Sequence, residues 1–246
     1  MAQSVGKTRD HMEDAASSCV FQQGYRDQIR HVALFVVADG MGGHLNGELA
    51  SSLAIKQVNA QLLPVLQEQN DTPADYEEVE TLLVESFNLA QEAVLDEVRG
   101  GGSTLTAALM VENSLYFAHV GDSRLYLVGY DGKTEVLTRD HSLVQRLVDL
   151  GQISQAEAEG HPQKNVLYRA LGQSEGFKVD LGFRQLEAPG YIMLCSDGLW
   201  GVVNDKKIAE EICSDKPLSE RAQHLCDLAN QAGGPDNISV ILAEIF

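Results

Sequence analysis

Four aspartates border apolar segments of this chain, in Ala38-Asp39-Gly40, Gly121-Asp122-Ser123, Ser196-Asp197-Gly198 and Pro235-Asp236-Asn237. One aspartate in such a place is ordinarily a turn residue that bonds its own backbone. Four of them, joined by Glu13-Asp14 just before the first apolar segment, can instead converge on one cleft. Carboxylates within a few ångströms repel and raise one another's pKa unless a cation neutralises them, so convergence implies a metal. The candidate ligands are all hard oxygens, and no Cys or His set has zinc spacing, which selects Mg²⁺ or Mn²⁺ over Zn²⁺. No EF-hand-type calcium loop is present. Two such ions about 4 Å apart can bridge a water, lower its pKa and aim it at phosphorus. Arg9, shortly before the acidic pair, can offer a planar fork to two phosphoryl oxygens, although spacing alone fits a surface salt bridge better.

The acids need strands to carry them. Val-, Ile-, Tyr- and Phe-rich runs predict strands at 16–21, 32–38, 104–111, 115–120, 124–130, 192–195 and 238–245. Asp131-Gly132 supplies a two-residue turn whose positive φ values suit an antiparallel hairpin. Tyr76, Val79, Leu83, Phe87, Ala90, Val94 and Val98 recur at helical spacing, and further helices are expected from Gly47 to Leu62, Asp205 to Cys213 and Leu218 to Ala232. Pro64 should end or kink the second of these, and 68–75 should form a turn. Consecutive helices between groups of antiparallel strands favour an α+β layered sandwich over a doubly wound fold.

The 246 residues, 44% of them apolar, are enough for one core without disulfides or structural metal. We expect a single catalytic domain over 1–246, with no linker or repeat. A net charge of −18 argues against nucleic acid or an anionic membrane as partner. The longest apolar run, Val32 to Ala38, is far short of the ~20 residues that cross a bilayer. Met1 to Asp14 has no apolar stretch of the signal-peptide kind. Cys19, Cys195, Cys213 and Cys226 lack C-x-x-C spacing and read as reduced structural thiols, which points to the cytoplasm. A monomer is expected, since no heptad seam is visible.

Taken in order, Arg9-x-x-x-Glu13-Asp14, Val37-Ala-Asp39-Gly-Met-Gly-Gly-His44, Val120-Gly-Asp122-Ser-Arg124, Ser196-Asp197-Gly198 and Gly234-Pro-Asp236-Asn237 resemble the metal-dependent protein phosphatases, the type 2C serine/threonine phosphatases, in their bacterial branch. Gly102-Ser-Thr-Leu105, Asp140-His-Ser142, His161-Pro-Gln-Lys-Asn165 and Arg169-Ala-Leu-Gly172 extend the likeness over nearly the whole chain. The resemblance implies a four-layer αββα sandwich, two antiparallel sheets flanked by helices, with a flap over about 142–172 beside the active site. It implies Mn²⁺ or Mg²⁺, two ions per chain with a weaker third. Asp39 would bridge the two ions, the Gly40 carbonyl would complete the second site, and Asp197 and Asp236 would hold the first. Glu13 would act through a metal-bound water, Asp14 would support the site, Arg9 would hold the substrate phosphate, and Asp122 with Asp197 would match the third metal position. The implied reaction is direct hydrolysis of phosphoserine and phosphothreonine in proteins by a metal-bridged hydroxide, opposing a bacterial Ser/Thr kinase.

Three positions depart from the family pattern. Met12 replaces an Asn before the Glu-Asp pair, Gly201 replaces an acid that would serve the third ion, and Met41 replaces a proposed proton donor of eukaryotic relatives. His44, after the Gly42-Gly43 turn, is the nearest alternative donor, or only a helix cap. Trp200 reads as core or cleft wall, and His119, His141 and His161 as structural or loop histidines. The alternatives are a catalytically weak phosphoprotein-binding scaffold of the same fold and a two-ion nuclease. The retained acids count against the first and the charge against the second.

Overall fold

The computed structural model of the protein describes residues 1–25, 28–43, 45–67 and 76–245. The chain runs β1 (Ala2–Ser4), β2 (Ala15–Tyr25), β3 (Gln28–Ala38), β4 (Gly40–Met41), α1 (Leu45–Gln67), α2 (Tyr76–Glu97), β5 (Gly102–Ser103), β6 (Leu105–Val111), β7 (Ser114–Val120), β8 (Arg124–Gly129) and β9 (Thr134–Val136). It continues with α3 (Leu143–Asp149), α4 (Gln155–Glu159), β10 (Asp180–Gln185), β11 (Gly190–Cys195), α5 (Asp197–Trp200), α6 (Asp205–Ile212), α7 (Leu218–Gln231) and β12 (Ile238–Ile245). Two antiparallel sheets, ordered β10-β7-β6-β3-β2 and β1-β12-β11-β8-β9, lie face to face between α1 and α2 on one side and α5, α6 and α7 on the other. This is the expected four-layer sandwich. β4 and β5 form a separate two-stranded ribbon.

The unbroken apolar run in β3 has a packing cause. Val32, Leu34, Val36 and Ala38 enter the core under α1 and α2, while Ala33, Phe35 and Val37 enter the core between the sheets. A strand buried on both faces shows no polar alternation. β11 does the same, with Tyr191, Met193 and Cys195 toward α6 and α7 and Ile192 and Leu194 inward. Cys195 and Cys226 are buried, and all four cysteines are free thiols.

Two local expectations are corrected. The β8–β9 loop has three residues, Tyr130 to Gly132, closed by Gly129 N–H to the Lys133 carbonyl and Gly132 N–H to the Gly129 carbonyl, both at 2.9 Å. Only Gly132 has positive φ (81°), as a type I turn followed by one left-handed residue requires, so Asp131 needs no strained backbone. Helix α1 also does not end at Pro64 but continues through it to Gln67. Pro64 and Ala60 are both exposed, so the carbonyl freed by the missing N–H meets water rather than core. The turn expected at 68–75 lies outside the described residues.

Between β9 and β10 the chain forms two short helices, each with a side-chain cap. Ser142 accepts from Gln145 N–H at the start of α3, and Ser154 and Glu157 make a reciprocal capping box on α4. The base of this segment is closed by Leu143 N–H to the Val166 carbonyl (2.7 Å) and Tyr168 N–H to the His141 carbonyl (2.9 Å). Further on, the Gln91 side chain of α2 accepts from Gly172 N–H and donates to the Gln173 carbonyl. Arg169 and His141 both meet the Asp180 carboxylate, at 2.7 and 3.0 Å.

Candidate active site

Each singled-out acid stands where a strand ends or begins. Asp39 follows β3, Asp122 lies in the β7–β8 turn, Asp197 opens α5 after β11, Asp236 precedes β12, and Glu13-Asp14 precede β2. β2, β3 and β7 belong to one sheet and β11 and β12 to the other, so the acids meet at the seam between the layers.

Asp39 sits at the electrostatic centre. Burial holds its carboxyl well above the usual carboxylate range, and the charges of Asp14, Asp197, Asp122 and Asp236 push it the same way. Its backbone is fixed by Asp39 N–H to Thr104 Oγ1 and by Thr104 N–H to the Asp39 carbonyl, both at 2.9 Å. Burial also pushes Asp14 up to about 7, against hydrogen bonds from Ser196 and Ser239, with Asp197 and Asp236 adding to the rise. Asp197 is pushed up to about 6 by burial and then by Asp236, opposed by a hydrogen bond with Asp39. Asp122 is raised by burial and then by Asp197 and Asp140.

The residue types and spacing of the N-terminal segment make sense once its anchors are seen. Asn237 accepts from Glu13 N–H at 2.6 Å and donates to the Val5 and His11 carbonyls at 2.9 and 3.0 Å. This one side chain holds the strip from which Arg9, Glu13 and Asp14 project, which bears on Met12 replacing an Asn in that strip. Ser51 Oγ donates to the Glu13 carbonyl. The Glu13 carboxylate lies where a Cβ on Gly47 would stand, and the Gly47 and Glu13 carbonyls fill the place of one on Gly40, which therefore requires glycine. Replacing Asn237 with Ala is expected to destabilise the protein by about 1–3 kcal/mol through stranded buried partners, measured as a lower urea midpoint. An unchanged midpoint would refute its role as the clamp.

Arg9 Nη2 donates to Asp236 Oδ2 at 2.8 Å, so the expected phosphate clamp rests on one of the acids. The bond to Asp236, then the charges of Asp236, Glu13 and Asp39, raise its pKa further. His44 lies outside the described residues, and Met41 occupies β4. His161 is in the loop after α4, its Nδ1 accepting from Gln163 N–H. Sequence reasoning gave no role to His11, whose Nε2 lies 3.1 Å from Glu13 Oε1, nor to Ser196, whose Oγ donates to Asp14 Oδ2 at 2.7 Å. Both flank the acids in sequence, which was the available signal.

The donor set suits hard divalent cations. Asp14 Oδ1 and Asp197 Oδ1 are buried without a hydrogen-bond partner among the described residues, an arrangement that is costly unless a cation meets them. Among the described residues no group of three or more His, Cys, Asp or Glu side chains is placed to hold a metal ion by itself. Mg²⁺-like ions do not require one, because they keep several waters and take one or two carboxylates.

Stacked antiparallel sheets with oxygen donors gathered at their seam define a protein with a site for hard divalent cations. Residues 1–147 match the family described as protein phosphatase 2C, and the chain belongs to that family. It is 37% identical over 246 residues to the serine/threonine phosphatase stp of Listeria innocua, covering 97% of this chain and 92% of that one. The structure of the Streptococcus agalactiae serine/threonine phosphatase superposes with a TM-score of 0.83 at 32% identity, covering 99% and 97% of the two chains. The catalytic domain of the serine/threonine protein phosphatase PstP, in complex with two manganese ions, superposes with a TM-score of 0.79 at 31% identity, over 100% and 96%. The expected resemblance and fold are thereby borne out.

Proposed function

We propose that this protein is a serine/threonine protein phosphatase that hydrolyses phosphoserine and phosphothreonine in protein substrates directly, without a phosphoenzyme. The observation that carries this reading is the convergence of Asp14, Asp122, Asp197 and Asp236 on Asp39, in a member of the protein phosphatase 2C family. Asp39, the Gly40 carbonyl, Asp197 and Asp236 would hold two Mn²⁺ or Mg²⁺ ions, with Glu13 and Asp14 in support and Asp122 serving a weaker third. When bound, the ions supply charge neutralisation and activation of water for attack on phosphorus.

The chain's own residues do the rest. Arg9, half-exposed at the rim, turns its fork from Asp236 toward the phosphoryl oxygens and orients them. Asp14 is buried and Asp39 and Asp197 are partly buried, so charges act there through a lower effective dielectric than in open water. Cys195, next to Ser196, is no competing nucleophile, because burial in the helix-side core pushes its thiol upward. Residues near both ends of the chain meet in this site, which supports 1–246 as one catalytic unit and a monomer as sufficient. The segment 142–172 beside it serves as the flap. No helix among the described residues is long and apolar enough to cross a membrane. The four free thiols, two of them buried, support placement in the cytoplasm, opposite a Ser/Thr kinase.

Phosphate release from a phosphothreonine peptide is expected with Mn²⁺ and absent with EDTA, and cleavage of single-stranded nucleic acid is expected in neither. No release by folded protein in Mn²⁺ would favour the binding-scaffold reading. Arg9→Ala is expected to raise KM for the peptide roughly tenfold or more, the loss of a charge-assisted bidentate contact. Unchanged steady-state kinetics would leave Arg9 as a salt bridge only.

A further inference from the structure

A cleft of about 700 Å³ opens beside Asp197, between the α5 turn and the α4 segment. Trp200 is a rigid part of its wall. The indole N–H donates to the Asp122 carbonyl at 3.0 Å, and the Arg124 guanidinium covers the ring at 3.6 Å. Arg124 is engaged by Asp140 through two bonds of 3.0 and 2.8 Å, and Arg139 by Asp149. Lys164 also lines the cleft and favours the ionised form of Asp197. Two more carboxylates line the cleft: Glu159, and Asp205, which accepts a hydrogen bond from the Tyr126 hydroxyl. Neither has an ion-pair partner among the described residues. Val203 and Ala158 contribute apolar lining.

We propose that this cleft binds an Arg or Lys side chain that flanks the phosphorylated residue of the protein substrate. The inference rests on the phosphatase reading and adds the class of sequence that the enzyme prefers. A long basic side chain lays its methylene stem along an apolar wall, here Trp200 and Val203, while its head reaches carboxylates, here Glu159 and Asp205. The −18 net charge of the chain steers the same basic peptides toward it. An acidic flanking residue would meet two like charges.

The test uses phosphothreonine peptides differing in a single flanking residue, Arg, Ala or Glu, walked through the positions on either side, with Mn²⁺ present. p-Nitrophenyl phosphate, too small to span the cleft, normalises each variant. In at least one register kcat/KM should rank Arg over Ala over Glu, with a spread of about tenfold or more, carried by KM. Glu159→Gln should compress that ratio and Glu159→Lys should invert it. Equal kcat/KM for the three peptides in every register would overturn the proposal, as would an unchanged ranking in Glu159→Lys. If p-nitrophenyl phosphate and peptides alike resist hydrolysis, the phosphatase reading fails and this assignment falls with it.

Discussion

Asp39→Asn is expected to lower phosphate release from a phosphothreonine peptide roughly 10³-fold or more in Mn²⁺ while leaving the protein folded. The amide keeps the shape of the carboxylate and removes the charge on which Asp14, Asp122, Asp197 and Asp236 converge. In the metal-free protein that charge is a liability, since burial and four like charges oppose it. The substituted protein should therefore melt in EDTA at the same temperature as the wild type or higher, and should lose most of the stabilisation that Mn²⁺ gives the wild type. The two readouts separate a broken site from a broken fold. Near-wild-type turnover would remove Asp39 from the centre of the chemistry.

The second large effect is on stability. Raising the pH from about 6.5 to about 8 should destabilise the metal-free protein. Burial raises the folded-state pKa of Asp14 to about 7 and holds Asp39 and Asp122 well above the ordinary value. In the unfolded chain these groups are ionised above about pH 4. The folded state thus binds more protons, and stability is lost as pH rises through the folded-state pKa values, at about 1.4 kcal/mol per pH unit for each extra proton. Below about pH 6.5 the buried His119, lowered by burial to about 3, works in the opposite sense, because only the unfolded chain takes up its proton. The cleaner window lies above it. Melts in EDTA should fall by roughly 5 °C or more across that window. With saturating Mn²⁺ the slope should flatten or reverse, since metal and protons compete for the same oxygens. A melting temperature that climbs with pH in EDTA would contradict the clustering of these acids.

Much of this was legible in the residues, and the exceptions have physical causes. The strands of β3, β6, β7 and β12 announce themselves as β-branched and aromatic runs because they are buried on one or both faces. β10 escapes because every residue in it stays partly or fully exposed, and β1, β4 and β5 are too short to set a period. The short helix α4 owes its existence to its Ser154–Glu157 capping box more than to apolar periodicity, and α3, although apolar at Leu143, Val144, Leu147 and Val148, is only seven residues long. The ligand candidates were visible because Asp beside Gly at a strand end is a pattern in sequence. Asn237 was quoted with its motif but its task was not, since clamping carbonyls more than two hundred positions away leaves no local trace. The two-residue hairpin reading failed for a simpler reason: Asp-Gly also fits the end of a three-residue loop.

The segment from α3 to α4 leaves and rejoins the body through neighbouring rungs, Leu143 with Val166 and Tyr168 with His141, and Gln91 grips the chain just beyond. A loop shut at its neck behaves as an exchangeable cassette. Its tip can lengthen, shorten or change charge while the strand ends that carry the acids stay where the two sheets put them. Enzymes built on this frame can therefore diverge in the phosphoproteins they accept without renegotiating the chemistry, and a graft of this segment between relatives should transfer preference and leave the catalytic seam intact.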